Sequence, residues 1–245
     1  MVVKFTEIEY RIRNERRTKM GGVLKKVLRL TCGISLCGSA TVFMLNSNIG
    51  LLPWDVFHEG ISKVMGITIG QASIIVSLIV FLLSIAVGEK VGIGSIVNVF
   101  LAGWVIDFLN YINIIPKADD IFNGIIMVII GLLLLAYGCY LYMGCGLGYG
   151  PRDSLLVGLN KKLNKSINLI KTAMEVTVLL IGILLGGSFG VGTVISALGT
   201  GYAMEMIFKL KKFDVAKLKQ KSLMDSFHDF KAFFSLLSTK KSSIN

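Results

Sequence analysis

GLLPWD, residues 50–55, returns as GYGPRD, residues 148–153, at an offset of 98 residues that aligns Pro53 with Pro151 and Asp55 with Asp153. The same offset, without a gap, carries Gly33 onto Gly131, Gly60 onto Gly158, Gly88 onto Gly186, Gly92 onto Gly190, Gly94 onto Gly192, Gly103 onto Gly201 and Asp107 onto Glu205. Chance matches a few of 27 glycines, but not this many in one register with the Pro-x-Asp pairs, so the chain reads as a duplication. In each copy glycine permits a sharp change of backbone direction and proline suits the first turn of a helix. The aspartate there meets unsatisfied N–H groups and the positive end of the dipole. The motif is expected to start a short helix, 53–65 and 151–163, too short to cross a bilayer.

Around these motifs lie six apolar runs, residues 27–45, 69–87, 93–112, 122–143, 167–185 and 191–208. With 53% apolar residues, 17% charge and a mean hydropathy of +0.71, the chain has more apolar surface than one soluble core would hide. An all-α integral membrane protein of six spans is expected. The parts are a basic arm, 1–26; a first repeat of three spans, 27–112; a connector, 113–121; a second repeat, 122–208; and a basic amphipathic tail, 209–245, which either lies on the inner membrane surface or is a partner-binding or disordered segment.

The net charge of +11 is not spread as a nucleic-acid surface, so a membrane surface is the expected partner. Of 26 Lys and Arg, 23 fall in the termini and even-numbered connectors, while only Lys63 and Lys117 lie on the other side. This sorting puts both termini in the cytoplasm. Three spans per repeat then make the second copy enter the bilayer from the opposite face, the inverted-repeat plan of secondary transporters.

Catalysis and metal binding have little to stand on. His58 and His228 are the only histidines, and Cys32, Cys37, Cys139 and Cys145 match no zinc or iron–sulfur spacing. No phosphate-binding loop or dinucleotide fingerprint occurs. No enzyme, metal or cofactor is expected.

Glu175 lies near the middle of the fifth span, where a carboxylate is costly unless paired, protonated or wet. It either pairs with Lys171, four residues earlier on the same helix face, or serves a central cavity as a coupling or substrate-binding acid. Arg152, which replaces Trp54 in the second motif, is either a topology-setting charge or an anion contact at a helix N-terminus. The short helices themselves either lie in the interface or re-enter. GIGS, residues 92–95, and its copy GVGT, residues 190–193, read as tight turns whose hydroxyl residue caps the next helix. Asp107 and Glu205 read as interface anchors, beside Trp104 and Tyr202.

Together the two Pro-x-Asp motifs, the two Gly-x-Gly-Ser/Thr turns and the stretch EVTVLLIGILLGGSFGVGTVISALGTG, residues 175–201, resemble the YczE/YyaS/YitT group of bacterial membrane proteins, with its YczE-type members the nearer. The resemblance covers approximately residues 28–209 and departs at Leu52, where a glycine would match the second loop. It implies a multi-span helical fold in the bacterial cytoplasmic membrane and brings no catalytic residues or substrate.

The residues themselves point to a secondary transporter or exporter of a small anionic or zwitterionic solute. Glu175, with Lys171 beside it, would couple or bind, and Arg152 with the backbone of Gly148 to Gly150 would orient the solute. Asp55 and Asp153 would hold the half-helix starts. A membrane-embedded binding subunit served by a separate ATPase, or a membrane scaffold or regulator, are the other classes, and the partners are the bilayer, a small solute and, for an oligomer, further copies of the chain. Arg152→Lys is expected to separate the two readings of that residue: reporter fusions would show membrane orientation intact, while a bidentate anion contact would be lost.

Overall fold

The computed structural model describes the backbone of residues 2–89 and 91–213, and side chains of residue 22 and those from 24 onward within those ranges. The amphipathic tail expected beyond Phe213 lies outside the described residues, as does Lys90. Among the described residues eight helices follow one another: α1 (Val2–Asn46), α2 (Pro53–Met65), α3 (Ile69–Ala86), α4 (Ile93–Ile112), α5 (Ile121–Met143), α6 (Pro151–Leu163), α7 (Ile167–Leu184) and α8 (Val191–Leu210). Six of them, α1 from Leu24 onward, α3, α4, α5, α7 and α8, are long and apolar enough to cross a bilayer. The expected basic arm continues into the first span as one helix.

Helix boundaries follow local chemistry. Pro53 and Pro151 open α2 and α6 at positions where a missing N–H costs nothing. Thr68 caps α3 in a reciprocal box with Gln71, and Asp120 and Ser166 cap α5 and α7. Gly66 and Asn164, both left-handed, end α2 and α6. The limits of α2, α3 and α4 recur at α6, α7 and α8 with the same 98-residue offset at both ends.

At the centre α1 crosses α5. A Cβ on Gly33 would stand 2.8 Å from Gly138 O, and one on Gly138 2.6 Å from Gly33 O, so two glycines let the backbones approach. Helix α4 packs on α1, and α8 on α5; α2 lies on α7, and α6 on α3. The short helix of each half is thus seated on a long helix of the other. Apolar residues such as Leu82, Phe100 and Leu184 cover the outside, as a lipid-facing surface requires.

The exchange between halves is pinned at the loops. Gly192 N–H donates to Ile49 O at 2.7 Å, and Gly94 N–H to Leu147 O at 2.9 Å, positions equivalent at the 98-residue offset. Ser95 Oγ donates to Tyr149 O at 2.5 Å, while Thr193 Oγ1 accepts from Leu51 N–H at 3.1 Å. The hydroxyls also receive Gly92 N–H and Gly190 N–H, each at 3.3 Å, so they serve their own helix starts and the opposite half together. At the far ends Lys63 donates to Gly186 O at 2.8 Å, and its equivalent Lys161 pairs with Glu89 at 2.7 Å.

Gly50 and Gly148 hold φ of +123° and +119°, and a Cβ there would meet Thr193 Oγ1 at 2.6 Å or Gly92 Cα at 2.7 Å. Backbone strain of this kind costs about 1–3 kcal/mol before overlap is added. Gly148→Ala and Gly50→Ala are therefore expected to lower the melting midpoint in detergent clearly more than Gly66→Ala, where φ is +66° but nothing lies within 4 Å.

Candidate functional site

Because α2 and α6 are each anchored in the other half, their N-termini come together between the spans at a cavity of about 220 Å³. Its walls are drawn from equivalent positions: Pro53 and Pro151, Trp54 and Arg152, Asp55 and Asp153, Ser73 and Lys171, Ser77 and Glu175, Ala102 and Thr200. The positions repeat but the chemistry does not. Arg152, Lys171 and Glu175 come from the second half, where the first supplies Trp54, Ser73 and Ser77.

Trp54 and Arg152 touch one another. The guanidinium carbon lies 4.6 Å from the Trp54 ring centroid, a cation–π contact, and Arg152 Nη2 donates to His58 Nε2 at 3.2 Å. A guanidinium only donates, so Nε2 must be the unprotonated nitrogen, and the proton of this neutral imidazole sits on Nδ1. Nδ1 faces Asp55 Oδ1 at 3.3 Å, an electrostatic contact without hydrogen-bond alignment. Thr41 Oγ1 donates to the other oxygen of Asp55 at 3.0 Å, and Tyr142 donates to Asp153 Oδ2 at 2.8 Å.

Asp55 and His58, 3% and 1% exposed, lie outside the six spans. Burial pushes the Asp55 carboxyl up, but His58, Arg152 and Thr41 outweigh it and hold it below the ordinary carboxylate range. Burial, with Arg152 adding to it, pushes His58 below the usual imidazole value despite Asp55. The Asp55 network is thus an ionised carboxylate beside a neutral histidine.

Both aspartates stand in the first turn of their helices, as expected. Their hydrogen bonds come from other helices, Thr41 on α1 and Tyr142 on α5, and the N-cap positions, Leu52 and Gly150, have no side chain that could cap. The first helical acceptors, Leu52 O and Gly150 O, are reached only by Val56 N–H and Ser154 N–H, which leaves the N–H groups of Trp54, Asp55, Arg152 and Asp153 with no helical partner. Leu52 and Gly150 have nearly the same φ, −59° and −60°, so Leu52 does the work of a glycine at that position without strain.

Of the candidate residues read from sequence, Arg152, Asp153, Asp55, Gly150, Lys171 and Glu175 line this one cavity. Gly148 sits instead in the loop crossing against Gly92 and Ser95. Lys171 Nζ lies 3.9 Å from Glu175 Oε1, so pairing and cavity lining hold at once. Asp107 accepts from Thr68 Oγ1 at 2.6 Å and Gly70 N–H at 2.9 Å, tying α4 to α3 rather than only marking an interface. Sequence reasoning misses Thr41, His58 and Tyr142 at this site. For His58 a signal exists, since it follows Asp55 by three residues on one helix face. Among the described residues, no three His, Cys, Asp or Glu side chains gather as a metal set.

Comparison with known proteins decides the lineage. DUF6198, a family of unknown function, matches residues 24–209. The chain belongs to this family. It is 34% identical over 174 residues to the uncharacterized membrane protein YczE of Bacillus subtilis, covering 69% of this chain and 80% of that one. An uncharacterized protein of Haemophilus influenzae is 32% identical over 186 residues, covering 76% and 84%. The uncharacterized protein YyaS of Bacillus subtilis is 25% identical over 172 residues, covering 69% and 82%. No solved structure matches. The DUF6198 match takes in all six spans and both short helices, and leaves out the start of α1 and the tail.

A carboxylate whose pKa is lowered on folding adds stability above its unfolded pKa and loses it as pH falls through the folded value. Asp55→Asn is thus expected to destabilise the protein near neutral pH by roughly 1–3 kcal/mol as the charge-assisted contacts are lost, seen as a lower melting midpoint, and to flatten the acid side of the midpoint–pH curve. Thr41→Val should lower the midpoint less and keep that slope.

Proposed function

We propose that this membrane protein is a secondary transporter of a small solute bearing a carboxylate or similar anionic group, with or without an ammonium group, working by alternating access. The observation that carries the reading is the meeting of two helix N-termini and the Arg152 guanidinium at one cavity between the spans. Orphan N–H groups, two converging dipoles and a guanidinium with one neutral hydrogen-bond acceptor together favour a negative guest. Asp153 and Glu175 on the same cavity supply the opposite charge for an ammonium group or a coupled proton.

In this reading the halves are inverted repeats in the bacterial cytoplasmic membrane, both termini are cytoplasmic, and α2 and α6 are re-entrant half-helices dipping from opposite faces. The lopsided distribution of Lys and Arg supports the orientation. Recurrent helix limits and the reciprocal seating of α2 on α7 and α6 on α3 support the inversion. Two 13-residue helices that start beside one another and end at opposite clamps, Lys63 with Gly186 and Lys161 with Glu89, fit a pair entering from the two sides.

The test is uptake by proteoliposomes of the purified chain, across a panel of amino acids and mono- and dicarboxylates, with and without a proton gradient. For the solute found, Arg152→Gln is expected to weaken apparent affinity about 10- to 100-fold, the size of a lost charge-assisted contact. Glu175→Gln is expected to abolish gradient-driven accumulation. Transport unchanged in both variants would remove the mechanism, and activity only after addition of a separate ATPase would place the chain in the binding-subunit class.

A further inference from the structure

Equivalent helices of the two halves are packed differently, and the difference has a direction. In the first half α3 and α4 are joined. A Cβ on Gly103 would lie 2.5 Å from Gly70 O and 2.5 Å from Ile74 Cγ1, so the backbones meet there. One turn further along α4, Asp107 takes the Thr68 hydroxyl and the Gly70 N–H at the start of α3. In the second half α7 and α8 are not joined in this way: a Cβ on Gly201, the equivalent of Gly103, would meet nothing from another helix within 4 Å among the described residues. Glu205, the equivalent of Asp107, is exposed and paired with Lys209 on its own helix at 2.6 Å.

The unjoined pair nevertheless carries the parts of the joint. Ser166, at the position of Thr68, is a hydroxyl at the start of α7. Gly201 keeps the bare backbone, although an exposed helix glycine costs about 1 kcal/mol against alanine and no neighbour here requires it. The two departures compensate one another. Asn168 in place of Gly70 would keep the helices further apart in such a joint, and Glu205 in place of Asp107 is longer by one methylene.

Resting on the transporter reading, we infer that α7 closes against α8 in a second state of the protein, making with Ser166, Asn168, Thr172, Gly201 and Glu205 the contact that Thr68, Gly70, Ile74, Gly103 and Asp107 make here. The gap between α7 and α8 is then the open flank of the cavity. Only 11% of the most apolar stretch of α7 is buried, against 44% for α3. Lys171 and Glu175, which line the cavity, are half-buried where their equivalents Ser73 and Ser77 are buried. Closing α7 buries these two charges as α3 buries the two serines. Burying charge is costly, so closure requires the Lys171–Glu175 pair, 3.9 Å apart here, to tighten into a direct contact, or a proton or solute charge to neutralise it.

The experiment is disulfide trapping of the full-length chain in membranes, with Cys32, Cys37, Cys139 and Cys145 replaced by serine or alanine and the pair Thr172→Cys and Gly201→Cys introduced. Oxidation is expected to give an intramolecular disulfide, identified by mass spectrometry of the linked peptide within a monomer. Spin labels at Leu180 and Leu198, both exposed, are expected to report two distance populations, with the shorter one depleted at least tenfold in Gly201→Leu. That variant should melt within a few degrees of the parent, because a Cβ at this position meets nothing within 4 Å. A disulfide found only between chains would mean that a second copy covers this face, and it would overturn the inference. So would a single long distance with no cross-link. Trapping and distance need no transported solute, so failure to find flux would remove the transporter reading while closure stood, and flux without closure would do the reverse.

Discussion

Backbone polar groups held away from water must be satisfied by the protein itself, and here they are satisfied across the duplication. The loop before α2 has its peptide groups met by Gly192 and Thr193 of the other half. The loop before α6 is met by Gly94 and Ser95. This exchange decides which long helix each short helix rests on, and so where the helix starts point. A cavity edged by those starts follows from the loop bonds rather than from any demand of its own. Neither half could make the arrangement alone, because each holds the other's acceptors and donors.

Equivalent positions with unequal side chains give the cavity its chemistry. Leu156 stands where the first half has His58, and Cys139 where it has Thr41, so the network that holds Asp55 has no counterpart around Asp153. Asp153 takes its hydrogen bond from Tyr142, in the position of Met44. One carboxylate is locked among side chains of α1, α2 and α6, and the other leans on a hydroxyl at the cavity wall. The first belongs to the framework that fixes Arg152, and the second lines the cavity with Tyr142 as its hydrogen-bond donor.

Much of the fold is legible in the sequence. Long apolar runs fix spans because a bilayer admits few lengths, and Pro with left-handed Gly or Asn fixes the ends of the short helices. The convergence of Arg152, Asp153, Asp55, Lys171 and Glu175 on one cavity is not legible there, since it depends on loops from one half seating on turns of the other. The side-chain partners of the aspartates are not legible for a related reason. Position in a helix shows which N–H groups are within reach, but Thr41 and Tyr142 are brought in by packing. His58 escapes notice because a lone histidine says little about metals or catalysis. Its value lies in accepting from an arginine 94 residues away.

Trp54 and Arg152 occupy equivalent positions, and they touch. A residue that meets its own counterpart must be self-complementary for as long as both copies are identical: two arginines there would repel, and two tryptophans would leave no charge to offer. Two different residues at this point need two independently varying copies, which a symmetric pair of identical half-sized chains cannot have. The stacked pair therefore requires that both halves be carried on one chain. With both on one chain, the two helix starts that edge the cavity are chemically unlike.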